Sequence, residues 1–304
     1  MELRQLRYFQ AVAEEGNLTR AAQRLYLSAP SLSQQIRLLE KELGAPLFER
    51  AATGMTLTPA GTALVPEAKA ALDAAERARH AVESATRTEP AVLRIGVPAG
   101  VPAALVRCVR DASAALRQAG VPARIRFRDA PTAAQLDLLA SGDLDLGLLT
   151  TPFPATDLRT ATVWREPMGV VTGHTHPLAR LDTVGFADLA GQELLWFPRE
   201  FAPGHHDEVL AHCRRNGWDP HLRAGSGHRS VFQTQLTSGE PLVAVQPASM
   251  VADDPHLTWR PFTREAPTLT LAAAWRPANP DPALRDLVLA VQQATAAGAR
   301  EHTD

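Results

Sequence analysis

Pro30, Ser33, Gln34 and Arg37 share one side of the stretch SAPSLSQQIRLLEKELG at residues 28–44. Helices that merely face water usually carry Glu and Lys there. Small hydroxyls, a primary amide and a guanidinium offer other chemistry. Gln pairs with adenine, Ser with several bases or phosphates, and Arg with guanine or phosphate. The face reads as one shaped for base edges in a major groove. A solvated helix of an all-α domain is the alternative.

The other residues able to do chemistry form no comparable pattern. His174 and His176 precede Pro177, while His205, His206 and His212 lie near Cys213. None has a carboxylate or thiol at a recognised ligand spacing. They read as scattered loop histidines, implying no metal and no cofactor. No Ser, Cys or Lys sits in a nucleophile motif, which argues against an enzyme. The two cysteines, Cys108 and Cys213, make no disulfide framework and suit reduced thiols in a cytoplasmic protein.

The candidate DNA face needs a scaffold, and its neighbours predict one. Leu3, Leu6, Phe9 and Ala13 repeat at helical spacing, giving a first helix from Glu2 to Glu15 that stops at Gly16. Asn17 caps a second helix with Leu18, Ala21, Ala22 and Leu25 inward. Tyr26-Leu27 makes a turn, and Ser28 caps a third helix with Pro30 in its first turn, where a missing N–H costs nothing. Leu32, Ile36, Leu39 and Leu43 form its buried stripe, opposite Pro30, Ser33, Gln34, Arg37 and Lys41. Helix, tight turn, helix is the helix-turn-helix unit.

Leu47–Arg50 and Met55–Thr58 around Ala51-Ala52-Thr53-Gly54 read as a hairpin, or wing. Thr58-Pro59 then opens a long helix to about Arg87, bent or loosened by Pro66. Gly61, Leu64, Ala68, Ala71, Ala75, Ala78, Val82 and Ala85 keep three- and four-residue spacing along it. Such a seam predicts a dimer of closely approaching helices, with packing against the helix's own domain as the alternative.

From Thr88-Glu89-Pro90 onward strands and helices alternate. Strands are expected at Val92–Val97, Ile125–Arg128 and Leu144–Leu149, with helices at Pro102–Gln118 and Thr132–Ser141. This order predicts an open, largely parallel sheet. The scheme restarts after Trp164, with strands at Gly169–Thr172, Leu194–Phe197, Leu242–Val245, Leu257–Phe262 and Leu269–Trp275. Helices are expected at Gly204–Asn216, Ser230–Thr237 and Pro282–Ala296. Two α/β lobes with a return crossing imply a cleft and a hinge. Ligands of open α/β sheets sit beyond the carboxyl ends of the strands, near free helix N–H groups. That singles out Pro98, Ala99, Gly100 and Val101, then Thr150, then Pro198, Arg199 and Phe201. Arg199 with helix N-termini would suit a carboxylate; a surface ion pair is its plainer role.

Length and composition bound this reading. At 304 residues, 45% apolar and net charge −2, the chain is an ordinary soluble globular protein of two or three domains. Residues 1–88 carry net +1 and the remainder net −3, so any DNA contact must come from the placement of charge. Glu2 and the polar run after it argue against a signal peptide. The longest stretch free of Asp, Glu, Lys and Arg, Ala51–Pro66, is laced with Thr, Gly and Pro, and no membrane span is expected.

The run LRYFQAVAEEGNLTRAAQRLYLSAPSLSQQIRLLEKELGAPLFER, with the following LTPAGTAL, resembles the LysR-type transcriptional regulators. The resemblance covers the whole chain at the level of architecture. It implies an α/β protein overall: a winged helix-turn-helix at 1–58, a linker and dimerisation helix at 59–88, and an effector-binding domain at 89–304 of the periplasmic-binding-protein kind. Lobe I would take about 89–164 and 265–304, and lobe II about 165–264. The expected DNA-facing set is Thr19, Ala29, Pro30, Ser31, Ser33, Gln34, Arg37 and Arg50. The resemblance adds Thr132 as an effector contact, and Leu64, Ala68, Ala71, Ala75, Ala78 and Val82 as the dimer seam.

Implied partners are double-stranded promoter DNA, a small-molecule effector such as a carboxylate, a second copy in a dimer or tetramer, and RNA polymerase. Ala29 stands where the family usually has Gln, Gln34 where a basic residue is frequent, and the wing loop lacks the usual Arg residues. Fewer base and phosphate contacts and a shallower salt dependence are therefore expected. Gly100 replaces a hydroxyl residue used by aromatic-acid sensors of the family. A solute-binding component would share the lobes but needs an export signal. A purely architectural DNA-binding protein has no use for the α/β region.

Overall fold

The computed structural model describes residues 1–51, 54–85, 92–154, 157–225, 228–252, 254–279 and 281–301. The chain divides into two compact units, Met1–Arg87 and Thr88–Asp304. The first holds α1 (Leu3–Glu15), α2 (Leu18–Arg24), α3 (Ala29–Leu43), β1 (Phe48–Ala51), β2 (Gly54–Leu57) and α4 (Pro59–Ala85). Its helix ends follow capping chemistry. Asn17 accepts the Thr19 and Arg20 amides, Ser28 accepts that of Ser31, and Gly16 turns left-handed at φ 57°. Phe9, Val12, Ala21, Ala22, Leu32, Leu39 and Leu47 fill the core, where the Phe9 and Phe48 rings lie 5.3 Å apart. Two expected core residues lie outside it. Leu3 and Leu43 are 44% and 41% exposed because the terminal turns of α1 and α3 run past the core.

The wing is held from two sides. Glu40 on α3 accepts the Leu47 and Phe48 amides at 2.8 and 3.3 Å. The Met55 amide donates to the Gly16 carbonyl at 2.8 Å. A Cβ at Gly54 would come within 2.3 Å of that same oxygen, so the contact requires glycine. Ala52 and Thr53 of the expected loop lie outside the described residues.

α4 begins at a Thr58 cap, whose hydroxyl accepts the Gly61 amide at 3.0 Å. It continues through Pro66 for 27 residues, about 40 Å at helical rise. The expected seam splits along it. Leu64, Ala68 and Ala71 pack into the unit's own core, and a Cβ at Gly61 would lie 2.1 Å from the Leu47 carbonyl oxygen. Further along, Ala78 and Val82 are exposed. The side chain of Ala85, and residues 86–91 where the helix and its boundary were expected, lie outside the described residues.

The second unit is built on one sheet. β3 (Val92–Val97), β4 (Arg124–Asp129) and β5 (Leu146–Thr150) pair in parallel in the first lobe. In the second lobe β7 (Glu193–Trp196), β8 (His221–Ala224) and β9 (Leu242–Pro247) do the same. The strands between them are antiparallel, so the sheet is mixed rather than largely parallel. β6 (Arg159–Gly173) pairs with β11 (Thr268–Trp275) over its first part, then with β9 and with β10 (Leu257–Pro261) over its last residues. One strand thus passes between lobes. The helices are α5 (Ala103–Gln118), α6 (Thr132–Ser141), α7 (Pro203–Arg215), α8 (Arg229–Leu236) and α9 (Pro282–Glu301). α5 and α9 cover the first lobe through Leu105, Val109, Leu284 and Leu287, all buried. Among the described residues, no helix is long and apolar enough to cross a membrane.

Candidate functional site

In the first unit the cations fall into two groups. Arg7 pairs with Glu76 at 3.2 Å, Arg24 with Glu14 at 2.7 Å and Lys69 with Asp73 at 2.9 Å. Arg79 reaches Glu76 at 2.8 Å, and Arg4 and Arg20 lie 3.6 Å from Glu2 and Glu15. Arg37, Lys41 and Arg50 are exposed and make no ion pair among the described residues. All three belong to α3 or the wing. Pro30, Ser31 and Gln34 are exposed beside them, Ser33 and Ala29 are half-buried, and Thr19 is exposed in the first turn of α2. Ser31 shares a 2.7 Å hydroxyl contact with the Ser28 cap, so part of its hydrogen-bonding capacity is used locally.

In the second unit a cavity of about 460 Å³ opens at the carboxyl ends of the parallel strands of both lobes. The first lobe contributes Pro98, Ala99 and Gly100 after β3, Asp129 at the end of β4 with Ala130 to Thr132 beyond it, and Thr150 at the end of β5. The second contributes Trp196, Phe197, Pro198, Phe201, His205, Arg229 and Phe232, with Gln246 and Pro247 at the end of β9 and Met250 beyond it. Two glycines mark where the lobes come close. A Cβ at Gly100 would meet the Met250 methyl at 3.9 Å, and one at Gly204 would come 2.0 Å from the Pro152 carbonyl oxygen. Gln135, buried under β3 and β5, donates to the Ala130 and Leu148 carbonyls at 2.8 and 3.2 Å, fixing the loop that carries Asp129 to Thr132.

The bacterial regulatory helix-turn-helix model of the lysR family matches residues 3–62, and the LysR substrate binding domain model matches residues 87–296. The chain belongs to the LysR family. It is 32% identical over 276 residues to the HTH-type transcriptional regulator YnfL of Escherichia coli K12, covering 90% of this chain and 92% of the relative. It is 30% identical over 293 residues to the Hca operon transcriptional activator HcaR of the same organism, covering 96% and 98%. A solved full-length OxyR variant from Pseudomonas aeruginosa matches with TM-score 0.57 at 28% identity, covering 96% of this chain and 99% of that one. As a LysR-type member, the protein is a DNA-binding transcriptional regulator with an effector-binding domain.

Within this LysR-type regulator the expected effector residues separate. Ala99, Gly100, Thr132, Thr150, Pro198 and Phe201 line the cavity; Val101 and Arg199 do not. Val101 packs against the hydrophobic core. Arg199 instead holds Asp207 through both carboxylate oxygens, at 2.6 Å in the shortest contact, with its side chain 63% exposed. The Arg199 hydrogen bond, helped by His206, keeps the Asp207 carboxyl well below the usual carboxylate range. This is the surface ion pair, and it removes the group on which a carboxylate ligand was expected. Thr132 is buried with its hydroxyl accepting the Thr150 amide at 3.0 Å, so it braces the site as well as lining it.

The residues missed by sequence reading are Trp196 and His205. His205 lies in the first turn of α7, not in a loop. Burial lowers its pKa to about 4, against a smaller upward pull from the backbone of Thr151, and His206 adds to the lowering. The Trp196 indole and His205 imidazole centroids are 6.2 Å apart, and the Phe197 and His205 rings stack 6.1 Å apart, within 7° of parallel. A helical position two residues past Pro203 was the available signal. Burial also pushes the Cys213 thiol up to about 11 and raises that of Cys108, so neither is an activated thiolate. Among the described residues no group of three or more His, Cys, Asp or Glu could hold a metal ion.

Proposed function

We propose that α3 enters the major groove of promoter DNA with Ser33, Gln34 and Arg37 toward base edges, and that Arg50 of the wing rests on a phosphate. Thr19, Ala29, Pro30 and Ser31 complete that face. The observation that carries this reading is the grouping of unpaired cations. Carboxylates neutralise most basic residues elsewhere in the first unit, whereas Arg37, Lys41 and Arg50, on one helix and its wing, have no ion-pair partner among the described residues. Phosphate contacts position a protein and base contacts specify sequence. Gln34→Ala should therefore cost about 1–3 kcal/mol on the specific site and relax preference at one base pair. Arg50→Ala should weaken all sequences nearly alike. Binding to an operator and to scrambled duplexes separates the two, and unchanged selectivity in Gln34→Ala rejects this orientation.

The protein acts as a cytoplasmic, non-enzymatic homodimer or tetramer that contacts RNA polymerase at its promoters. The far part of α4, from Ala75 through Ala78 to Val82, forms the dimer contact and spaces two recognition helices over two half-sites. Ala68 takes no part, being fully buried in its own unit, and Leu64 and Ala71 face the same core. Val82→Asp should weaken the dimer by placing a carboxylate in that contact. Light scattering reads the result, and an unchanged oligomer removes α4 from the interface.

The cleft between the lobes holds a small effector that favours one lobe arrangement over another, as any ligand-driven switch requires. A coupling of about 1–3 kcal/mol suffices for a clear transcriptional response. The cavity volume, and its position at strand carboxyl ends of both lobes, support this part of the reading.

A further inference from the structure

The charges around the cleft do not welcome an anion. Its charged lining residues are Asp129, Asp254 and Arg229 among the described residues. Asp254 is buried, accepts the Gln233 amide and the His256 backbone N–H at 3.0 Å each, and lies 3.7 Å from Arg229. That pairing leaves Asp129 without a counter-charge in the wall. The amino end of α6 would favour an anion through its partial positive charge. Asp129 sits three residues ahead of Thr132, the first residue of that helix, and opposes it.

Two lining side chains carry polar atoms that find no partner among the described residues. Trp196 Nε1 and His205 Nδ1 are buried, and no described residue hydrogen-bonds to either. Trp196 is 5% and His205 4% exposed, so bulk water does not supply the missing partners. An unsatisfied buried polar group costs about 1–3 kcal/mol, and aromatic side chains with such groups usually find a partner. The indole N–H can only donate. Burial keeps the ring neutral, and the tautomer that complements the indole donor presents Nδ1 as an acceptor. A buried donor and a buried acceptor thus belong to neighbouring rings in the aromatic part of the wall.

Resting on the reading of the cleft as the effector site, we propose that the effector is uncharged, largely apolar and of aromatic size. It carries a hydroxyl or amide that accepts from Trp196 and donates to His205. Binding requires both rings to turn until their free atoms face the cavity that they line. The Phe197 ring, stacked on His205, packs against its apolar body.

Isosteric pairs that differ in charge test this on the full-length chain. Benzamide against benzoate, and cinnamamide against cinnamate, are titrated by calorimetry into the parent, Trp196→Phe, His205→Phe and Ala99→Trp. Trp196→Phe deletes only the N–H, His205→Phe keeps the stacked ring, and Ala99→Trp fills the cavity from an exposed loop. The expected result is that each amide binds about tenfold or more tighter than its carboxylate, a difference readily resolved. Either aromatic substitution should remove most of that preference while carboxylate binding stays unchanged. Ala99→Trp should abolish amide binding. Carboxylates that bind more tightly, and are lost in Ala99→Trp, overturn the uncharged assignment and leave the cleft reading standing. Binding that ignores Ala99→Trp overturns both. An amide preference that survives both aromatic substitutions, or no binding by any of the four probes, overturns the assignment of these two groups and this ligand size.

Discussion

On α3 and the wing, Arg37, Lys41 and Arg50 stand without carboxylate partners among the described residues, whereas Arg229 in the cleft is drawn toward Asp254 and Arg199, outside the cleft lining, is held by Asp207. The chain as a whole carries net charge −2, which describes neither surface. A polyanion is attracted by cations whose charge is not already answered nearby, and screening confines that attraction to about 10 Å at ordinary ionic strength. The partner of each region is therefore read from which charges lack a counter-charge, not from how many there are. The first unit leaves its unpaired cations exposed on α3 and the wing. The cleft leaves free a donor and an acceptor instead.

The largest expected effect separates the two regions. Phe9 is fully buried in the first unit's core against Phe48, so Phe9→Ala should cost about 3–5 kcal/mol of that unit's stability. Urea denaturation with operator binding as readout should register the loss, while ligand binding in the cleft stays as in the parent. Loss of both would mean that the regions do not behave separately.

The next effect is a pH dependence confined to the cleft. The folded pKa of His205 is lowered to about 4 from an ordinary 6.5, chiefly by burial. Between those values the unfolded chain takes up a proton that the folded chain refuses, so stability falls as pH falls through this window. The loss at the acid end is roughly 3 kcal/mol at 1.36 kcal/mol per pH unit. Melting curves from pH 7 to pH 4 should show it in the parent and much less of it in His205→Phe.

A smaller effect distinguishes bracing from decoration at the cleft rim. Thr132→Val leaves the buried Thr150 amide without its acceptor and should cost about 1–3 kcal/mol in chemical denaturation. Arg199→Ala removes an exposed ion pair and should change neither stability nor effector response measurably. A loss of response in Arg199→Ala would return a carboxylate ligand to consideration.

Much of the fold could be read in the residues because caps and spacing are local. Asn17, Ser28 and Thr58 open their helices as their side chains dictate, and the strand Val92–Val97 and helix Thr132–Ser141 have the bounds that their patterns predict. The misses share one cause. The first part of β6 mixes Arg159, Thr160, Thr162, Arg165 and Glu166 with a Pro, so its pairing with β11 comes from a strand more than a hundred residues away. β8 is a short, mostly exposed edge strand without an apolar run. At the cleft, Gly100 and Pro198 could be found as loop residues after strands, but Trp196 and His205 look in sequence like ordinary core and helix residues.

The sequence by itself determined the helix-turn-helix, the polar face of α3, the alternation of strands and helices, and the family, because each depends on near neighbours or on a contiguous motif. Only the tertiary structure decided which charges were already spent, since an ion pair joins residues that chain order does not relate. It placed Arg199 on Asp207 and left Arg37, Lys41 and Arg50 free. It also turned half of an apparent dimer seam inward, because Leu64, Ala68 and Ala71 join the core of their own unit. The same long-range packing sealed Trp196 Nε1 and His205 Nδ1 away from water, and burial without a partner is a property of surroundings that no single stretch of chain contains.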